Sequence, residues 1–230
     1  MAQKSDSSWV KWLLIGCGGC LVLGILIAVL LFVAVKSAFQ KGAFYQEPPA
    51  VAVADKVNNV DAINVFFDVK TAEEAGFKKQ KITISEGEFN AFLKNALETL
   101  PESKASPAGP PMRFLIDLKN DQMDLYMSVE GAKASPGMSW MKVGYLVEYD
   151  IVKDTLPISI ELRDMKMGSN VLPASQWKTQ AQSSVQAFRN IGAQNLALGR
   201  VFEMMQRGLV LSRDIIDLVV TNDSLTFTVK

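Results

Sequence analysis

The sequence predicts an α+β protein: one N-terminal transmembrane helix followed by a curved antiparallel sheet packed with helices. Three observations carry that expectation. Residues 12–35 form a run of 24 positions without a charged side chain. Two pairs of short segments meet at Asx-rich turns, and in the first pair apolar residues recur at every second position, the mark of a hairpin. Around them lie stretches whose apolar residues recur every three or four positions, the period of a helix face.

The apolar run extends from Trp12 to Val35 between Lys11 and Lys36. As a helix rising ~1.5 Å per residue it would span about 36 Å, enough to cross a hydrocarbon layer of ~30 Å with some tilt. A cleaved signal peptide is the rival reading, but its apolar core is usually only ~7–15 residues long. Leu14-Ile15-Gly16-Cys17 resembles a lipidation motif, yet the long apolar stretch follows Cys17, where a lipoprotein leader would place it before. Gly16, Cys20, Gly24 and Ala28 recur every fourth residue and fall on one helix face. Such a stripe of small residues lets two membrane helices approach closely, a route to homo- or hetero-oligomers. The flanking lysines, Lys4 and Lys11 before and Lys36 and Lys41 after, are nearly balanced and do not orient the helix. The short tail at 1–11 and the large domain behind the helix favour an extracytoplasmic C-terminal domain.

A juxtamembrane linker is expected at 36–50, with Phe39, Phe44 and Tyr45 suited to an interface and Pro48-Pro49 ending the helix. The α+β domain then fills 51–230. Val53, Val57, Val60, Ile63 and Phe67 predict an amphipathic helix over roughly Val53–Val69. Lys81-Ile82-Thr83-Ile84 reads as a strand, and Ser85-Glu86-Gly87-Glu88 as a capping box opening the next helix. That helix sets Phe89, Phe92, Leu93, Ala96, Leu97 and Leu100 on one face, until Pro101 stops it.

Met112, Phe114, Ile116 and Leu118 alternate with Arg113, Asp117 and Lys119, and Met123, Leu125, Met127 and Val129 with Asp124, Ser128 and Glu130. The pair predicts a hairpin turning at Asn120-Asp121-Gln122 with one apolar and one solvated face. Met141–Ile151 and Ile158–Met167 read as two further strands. Pro173–Arg207 is helical in composition, with a break expected near Gly192 or Gly199. A second hairpin, Ile215–Thr221 with Leu225–Val229, closes the chain around Asn222-Asp223.

Composition narrows the function. Lys plus Arg and Asp plus Glu both number 24, and no basic run suggests nucleic acid. The chain has no histidine, which removes the commonest general base and metal ligand. Its two cysteines, Cys17 and Cys20, both lie in the apolar run, so disulfides, zinc–thiolate sites and a cysteine nucleophile are not expected in the domain. Asp117, Asn120, Asp121 and Asp124 lack the spacing of a calcium loop and read as a hairpin turn. Ser85 with Lys94 carries nothing that marks a nucleophile. The chain therefore reads as a non-enzymatic protein without metal or cofactor. Nine methionines besides Met1 lie between Met112 and Met205. Met123, Met127, Met141, Met165, Met167, Met204 and Met205 either fill an irregular core or line an apolar groove for an acyl chain or a partner helix.

The stretch Ile82-Thr83-Ile84-Ser85-Glu86-Gly87-Glu88-Phe89-Asn90-Ala91-Phe92-Leu93 resembles the YpmS-like and LmeA-like groups of bacterial single-anchor proteins. Those groups carry a strand, a Thr/Ser-acidic start and a Leu-Asn helix, and Phe89-Asn90 stands here where Leu-Asn is usual. The resemblance extends diffusely over Lys81–Lys230 and implies an extracytoplasmic domain associated with lipid or cell-envelope assembly. Two functions are thus expected: binding membrane lipid or another apolar ligand near the bilayer, or serving as a structural subunit of a membrane or envelope complex.

The stripe is testable by itself. Gly24→Ile and Cys20→Leu should weaken self-association of the full chain in a membrane two-hybrid assay, because bulk on a close-packed face forfeits dispersion contacts. Substitutions at Leu23 or Leu26, off the stripe, should leave the signal unchanged; equal loss at both sets would reduce the helix to a tether.

Overall fold

The computed structural model describes residues 27–37, 44–45, 47–99, 112–130, 142–154, 156–173 and 195–230. Residues 27–37 are helical, and Ile27, Val29, Leu30, Leu31, Phe32, Val33 and Val35 are exposed on them. No helix among the described residues is long and apolar enough to cross a membrane. Residues 12–26 of the expected span, with Gly16, Cys20 and Gly24, lie outside the described residues, as do the tail at 1–11, Met141 and Leu100. Ala28 lies on the helical segment.

The remaining described residues are α+β, with antiparallel sheets and helices. Its elements are α1 (Val60–Phe66), β1 (Lys81–Ser85), α2 (Glu86–Glu98), β2 (Met112–Lys119), β3 (Gln122–Glu130) and β4 (Lys142–Val152). They continue with β5 (Ser159–Met167), β6 (Asn170–Pro173), α3 (Leu196–Arg207), β7 (Leu209–Val210), β8 (Ile215–Val220) and β9 (Ser224–Val229). Where one sheet was expected there are two. One is three-stranded, ordered β1-β9-β8; the other is six-stranded, ordered β2-β3-β4-β5-β6, with β7 also paired to β5. The split follows from chain order: β1 is separated from the closing hairpin by most of the domain, yet pairs with its last strand from Lys81↔Thr228 to Ser85↔Ser224.

The two sheets touch at their turns. The amide of Asp121 donates to the Val220 carbonyl (3.2 Å), and that of Asn120 to Asn222 Oδ1 (3.2 Å). Beneath them a single hydrophobic cluster takes residues from both sheets and all three labelled helices. Phe66, Phe67 and Phe89 meet edge to face, with centroids 5.3, 5.4 and 6.0 Å apart, and Phe114 of β2 meets Phe202 of α3 at 5.4 Å. These are favoured ring geometries, and they join α1 to α2 and α3 to β2.

Several expected elements are corrected by their hydrogen bonds. The helix expected over Val53–Val69 occupies only Val60–Phe66. Upstream, the amides of Ala52, Ala54 and Asn58 donate to Glu86 Oε1, the Gly87 carbonyl and Glu88 Oε1, so that backbone is held against α2 instead of closing helical turns. No break occurs at Gly199: its amide bonds the Asn195 carbonyl inside the first turn of α3. Asn195 caps that helix, its side chain accepting from the Leu198 amide at 3.2 Å. The start of the expected helical stretch is instead the short strand β6, which ends at Pro173; residues 174–194, Gly192 among them, lie outside the described residues. Gly208 ends α3 at φ +81°, and a Cβ there would lie 2.2 Å from the Ile160 carbonyl oxygen, so only glycine allows β7 to dock on β5. The closing hairpin and the β2–β3 hairpin fall within a residue or two of their expected bounds.

The solvated face expected for the first hairpin is corrected at β3. Met123, Leu125 and Met127 point into the core as alternation requires, but Asp124, Tyr126 and Ser128 on the opposite face are buried as well. Side chains of the flanking strands cover that face, Asp124 lying between Asp117 of β2 and Glu148 of β4 with Lys119 paired to it, and the hairpin sequence alone does not reveal how many strands flank it.

Candidate functional site

Three polar side chains on one short stretch of α2 organise the surroundings. Ser85 opens the helix as the expected capping box: its hydroxyl accepts from the Glu88 amide (3.3 Å), and Glu88 Oε2 accepts from the Ser85 amide (3.3 Å). Glu86 and Glu88 then turn outward from the box toward other segments. Glu86 Oε2 accepts from the Leu118 amide at the edge of β2 (2.9 Å), and its Oε1 from the Ala52 amide (3.2 Å). Glu88 accepts from the Asn58 amide (3.1 Å) and from the Asn59 side chain on both oxygens. Asn90, fully buried, behaves like a piece of strand: its Oδ1 accepts from the Ile116 amide (2.6 Å), while its Nδ2 donates to the carbonyls of Ile116 and Ala52 (2.9 Å each). The Glu86 amide completes the node by donating to the Asp223 carbonyl (2.8 Å) in the β8–β9 turn.

Segment 52–59, the β2 edge and the closing hairpin are thus fastened to one helical turn. Gly87 eases the close approach, since a Cβ there would sit 3.2 Å from the Ala54 nitrogen, a tight contact. Burial alone would raise the Glu88 carboxyl, but the donors of Ser85, Asn58 and Asn59 hold it below its ordinary value.

On the far face of the six-stranded sheet lies a charged lattice. Burial pushes the Asp124 carboxyl up, although Lys119 pairs with its Oδ2; its Oδ1 has no partner among the described residues. Arg163 is the extra residue of a bulge, since Glu148 pairs with Asp164 and Tyr149 with Leu162. Its guanidinium reaches Asp150 at 2.9 Å and Glu148 at 3.5 Å, while Lys166 holds Glu148 at 2.5 Å. Burial works to raise Glu148, and these two cations bring it below the usual carboxylate range.

Of the residues read as calcium-like, Asp121 is exposed and pairs with Lys153 (2.5 Å), whereas Asp124 is buried beside Lys119. No group of three or more acidic or cysteine side chains suited to a metal occurs among the described residues. Met123, Met127, Met165, Met204 and Met205 all lie in the hydrophobic core, and Met167 is half-buried at the register position facing Tyr145 and Asn170. The clefts have other linings. A polar one of about 830 Å³ lies between β5, β7 and α3, with Arg200 tied to Asp68 and Glu203 at its wall. Smaller ones, about 520 and 480 Å³, flank α2 beside Phe92 and beside Leu97.

Glu86 and Asn90 were not singled out by sequence reasoning as a polar pair. The available signal was their spacing: four residues apart they share a helix face, and that face is otherwise apolar.

Two outcomes follow. Replacing Asn90 by leucine should destabilise the full chain to urea by about 3 kcal/mol or more, because the Ile116 amide and two carbonyls lose their partner in a buried site. The lowered Glu88 carboxyl stabilises the fold above its ordinary value of 4.5, and that contribution disappears as the pH falls through the lowered folded value. Glu88→Gln should therefore lower the urea midpoint at neutral pH and flatten its fall on acidification.

No family model matches the chain, and no curated protein or solved structure matches it, so the functional reading rests on the chemistry and placement of these residues.

Proposed function

We propose that the chain is a membrane-anchored, non-enzymatic assembly subunit: residues 12–35 sit in a bilayer, and the domain outside the cytoplasm holds a partner protein. The observation that carries this reading is the fastening of residues 52–59 to α2. Six hydrogen bonds join that segment to α2: five are donated by its backbone and the Asn59 side chain to Glu86, Gly87 and Glu88, and one is donated by Asn90 to the Ala52 carbonyl. A domain that only needed tethering would be served by a loose linker; a fixed one holds its surfaces at a set height and orientation. Exposed apolar side chains along 27–35 suit lipid contact. Between the two expected functions, the burial of Met123, Met127, Met165, Met204 and Met205 favours assembly over an acyl-chain groove, because these side chains are enclosed in the core. The resemblance to YpmS-like and LmeA-like proteins is compatible with an envelope role of this kind.

The test uses the full chain. A reporter fused after Lys230 should be active only in exported form. Reconstituted with photoactivatable phospholipid, the chain should label at 12–37 alone, and affinity purification from its native membrane should return a partner protein at fixed ratio. Lipid labels on β3, β5 or α3 would establish the apolar groove instead. A chain that is always monomeric and partner-free would overturn the assembly reading.

A further inference from the structure

The edge of β2 is closed along only half its length. Strand β3 holds one side of β2, in unbroken register from Met112↔Val129 to Lys119↔Gln122, and no strand among the described residues holds the other. In an antiparallel ladder alternate residues turn both N–H and C=O to the same side. Ile116 turns both toward Asn90, and Leu118 gives its amide to Glu86. By the same alternation Met112 and Phe114 present their N–H and C=O groups to that open side, where no described element caps them. Natural edge strands are usually blunted, and here the blunting by α2 stops at Ile116.

Opposite the uncapped half lies the groove of about 480 Å³. Val53, Leu97, Met112 and Leu115 supply its apolar lining, and Lys94 and Arg113 its cations. Neither cation has an ion-pair partner among the described residues, unlike Lys119, Arg163, Lys166 and Arg200. Among the described residues on the wall Glu98 is the single carboxylate, so these side chains carry more positive than negative charge.

We infer that this groove receives an extended segment of a partner protein, which adds as a strand beside Met112 and Phe114 and directs an acidic side chain to Lys94 and Arg113. Main-chain hydrogen bonds supply affinity in such strand addition, and pockets for alternate side chains supply selectivity. A second copy of this chain is a poorer occupant, since antiparallel pairing of two identical β2 edges about Arg113 sets that cation against its own image. The inference rests on the assembly reading above and names the site and chemistry of the partner.

The experiment displays a library of short peptides, alternating β-branched residues with randomised charged positions, against the full chain in lipid nanodiscs. Enriched peptides should be rich in Asp and Glu and should slow exchange of the Phe114 amide on binding. Affinity should fall roughly tenfold with Lys94→Glu, as for loss of a charge-assisted contact. Met112→Pro should weaken binding as much, because it removes an outward N–H that the β3 ladder does not use; unchanged far-UV circular dichroism would show that the variant folds. The inference is overturned if no peptide is enriched, if bound peptides are basic or indifferent to both substitutions, or if Met112→Pro abolishes a dimer of the chain itself. A native partner still captured by the doubly substituted chain would sink the groove while leaving the assembly reading standing. Failure of the wild type to capture any partner would sink that reading itself.

Discussion

A buried amide side chain that substitutes for a strand is the constraint on which the rest of this architecture depends. Asn90 satisfies both backbone groups of Ile116 and one of Ala52, and no apolar residue could do so. A sheet edge facing the core cannot leave its N–H and C=O groups without partners, because each orphan in a dry site costs on the order of 1–3 kcal/mol. Once Asn90 and Glu86 supply those partners, α2 can lie along the edge of the six-stranded sheet without another strand between them. The helix then packs Phe89 against Phe66 and Phe67, and its first turn reaches the β8–β9 turn through the Glu86 amide. One helical turn thus joins two sheets that do not share a strand.

The local elements were legible in the sequence because they follow from local rules. The capping box at Ser85 and Glu88 lies within four residues, and both hairpins announce themselves by turn residues; the first adds alternation over a short span. What could not be read was long-range. The division into two sheets depends on β1 finding β9 across most of the chain, which no periodicity encodes. Val53 and Val57 obey helical spacing, yet tertiary acceptors on Glu86, Gly87 and Glu88 outcompete the helix for the backbone donors of that segment. Asp124 reads as a solvated strand residue until β4 is placed beside β3. The candidate site was half visible: Glu88 as a cap, Asn90 as part of a resemblance, but neither as the fastening of a segment some thirty residues upstream.

Charge is distributed with the same logic. On the far face of the large sheet Asp117, Asp124, Glu148 and Asp150 each have a cation at hand, and the bulge at Arg163 brings one guanidinium to both Asp150 and Glu148. Lys94 and Arg113 stand apart from this pattern, beside the uncapped part of β2.

The fastened segment also makes the N-terminal connection a mechanical part. Tension between the helix at 27–37 and the domain would reach the Phe44 carbonyl, bonded to the Gly144 amide, and then the bonds of Ala52, Ala54 and Asn58 in turn. Bonds loaded one after another peel rather than share the strain, so this stretch would yield before either sheet. Freeing residues 52–59 would let that stretch straighten toward its full contour of roughly 26–29 Å, at about 3.3–3.6 Å per residue, while α1 and the core stay folded. The helix turn at Glu86–Asn90 is therefore a latch that sets the domain's reach, short while closed and longer under load.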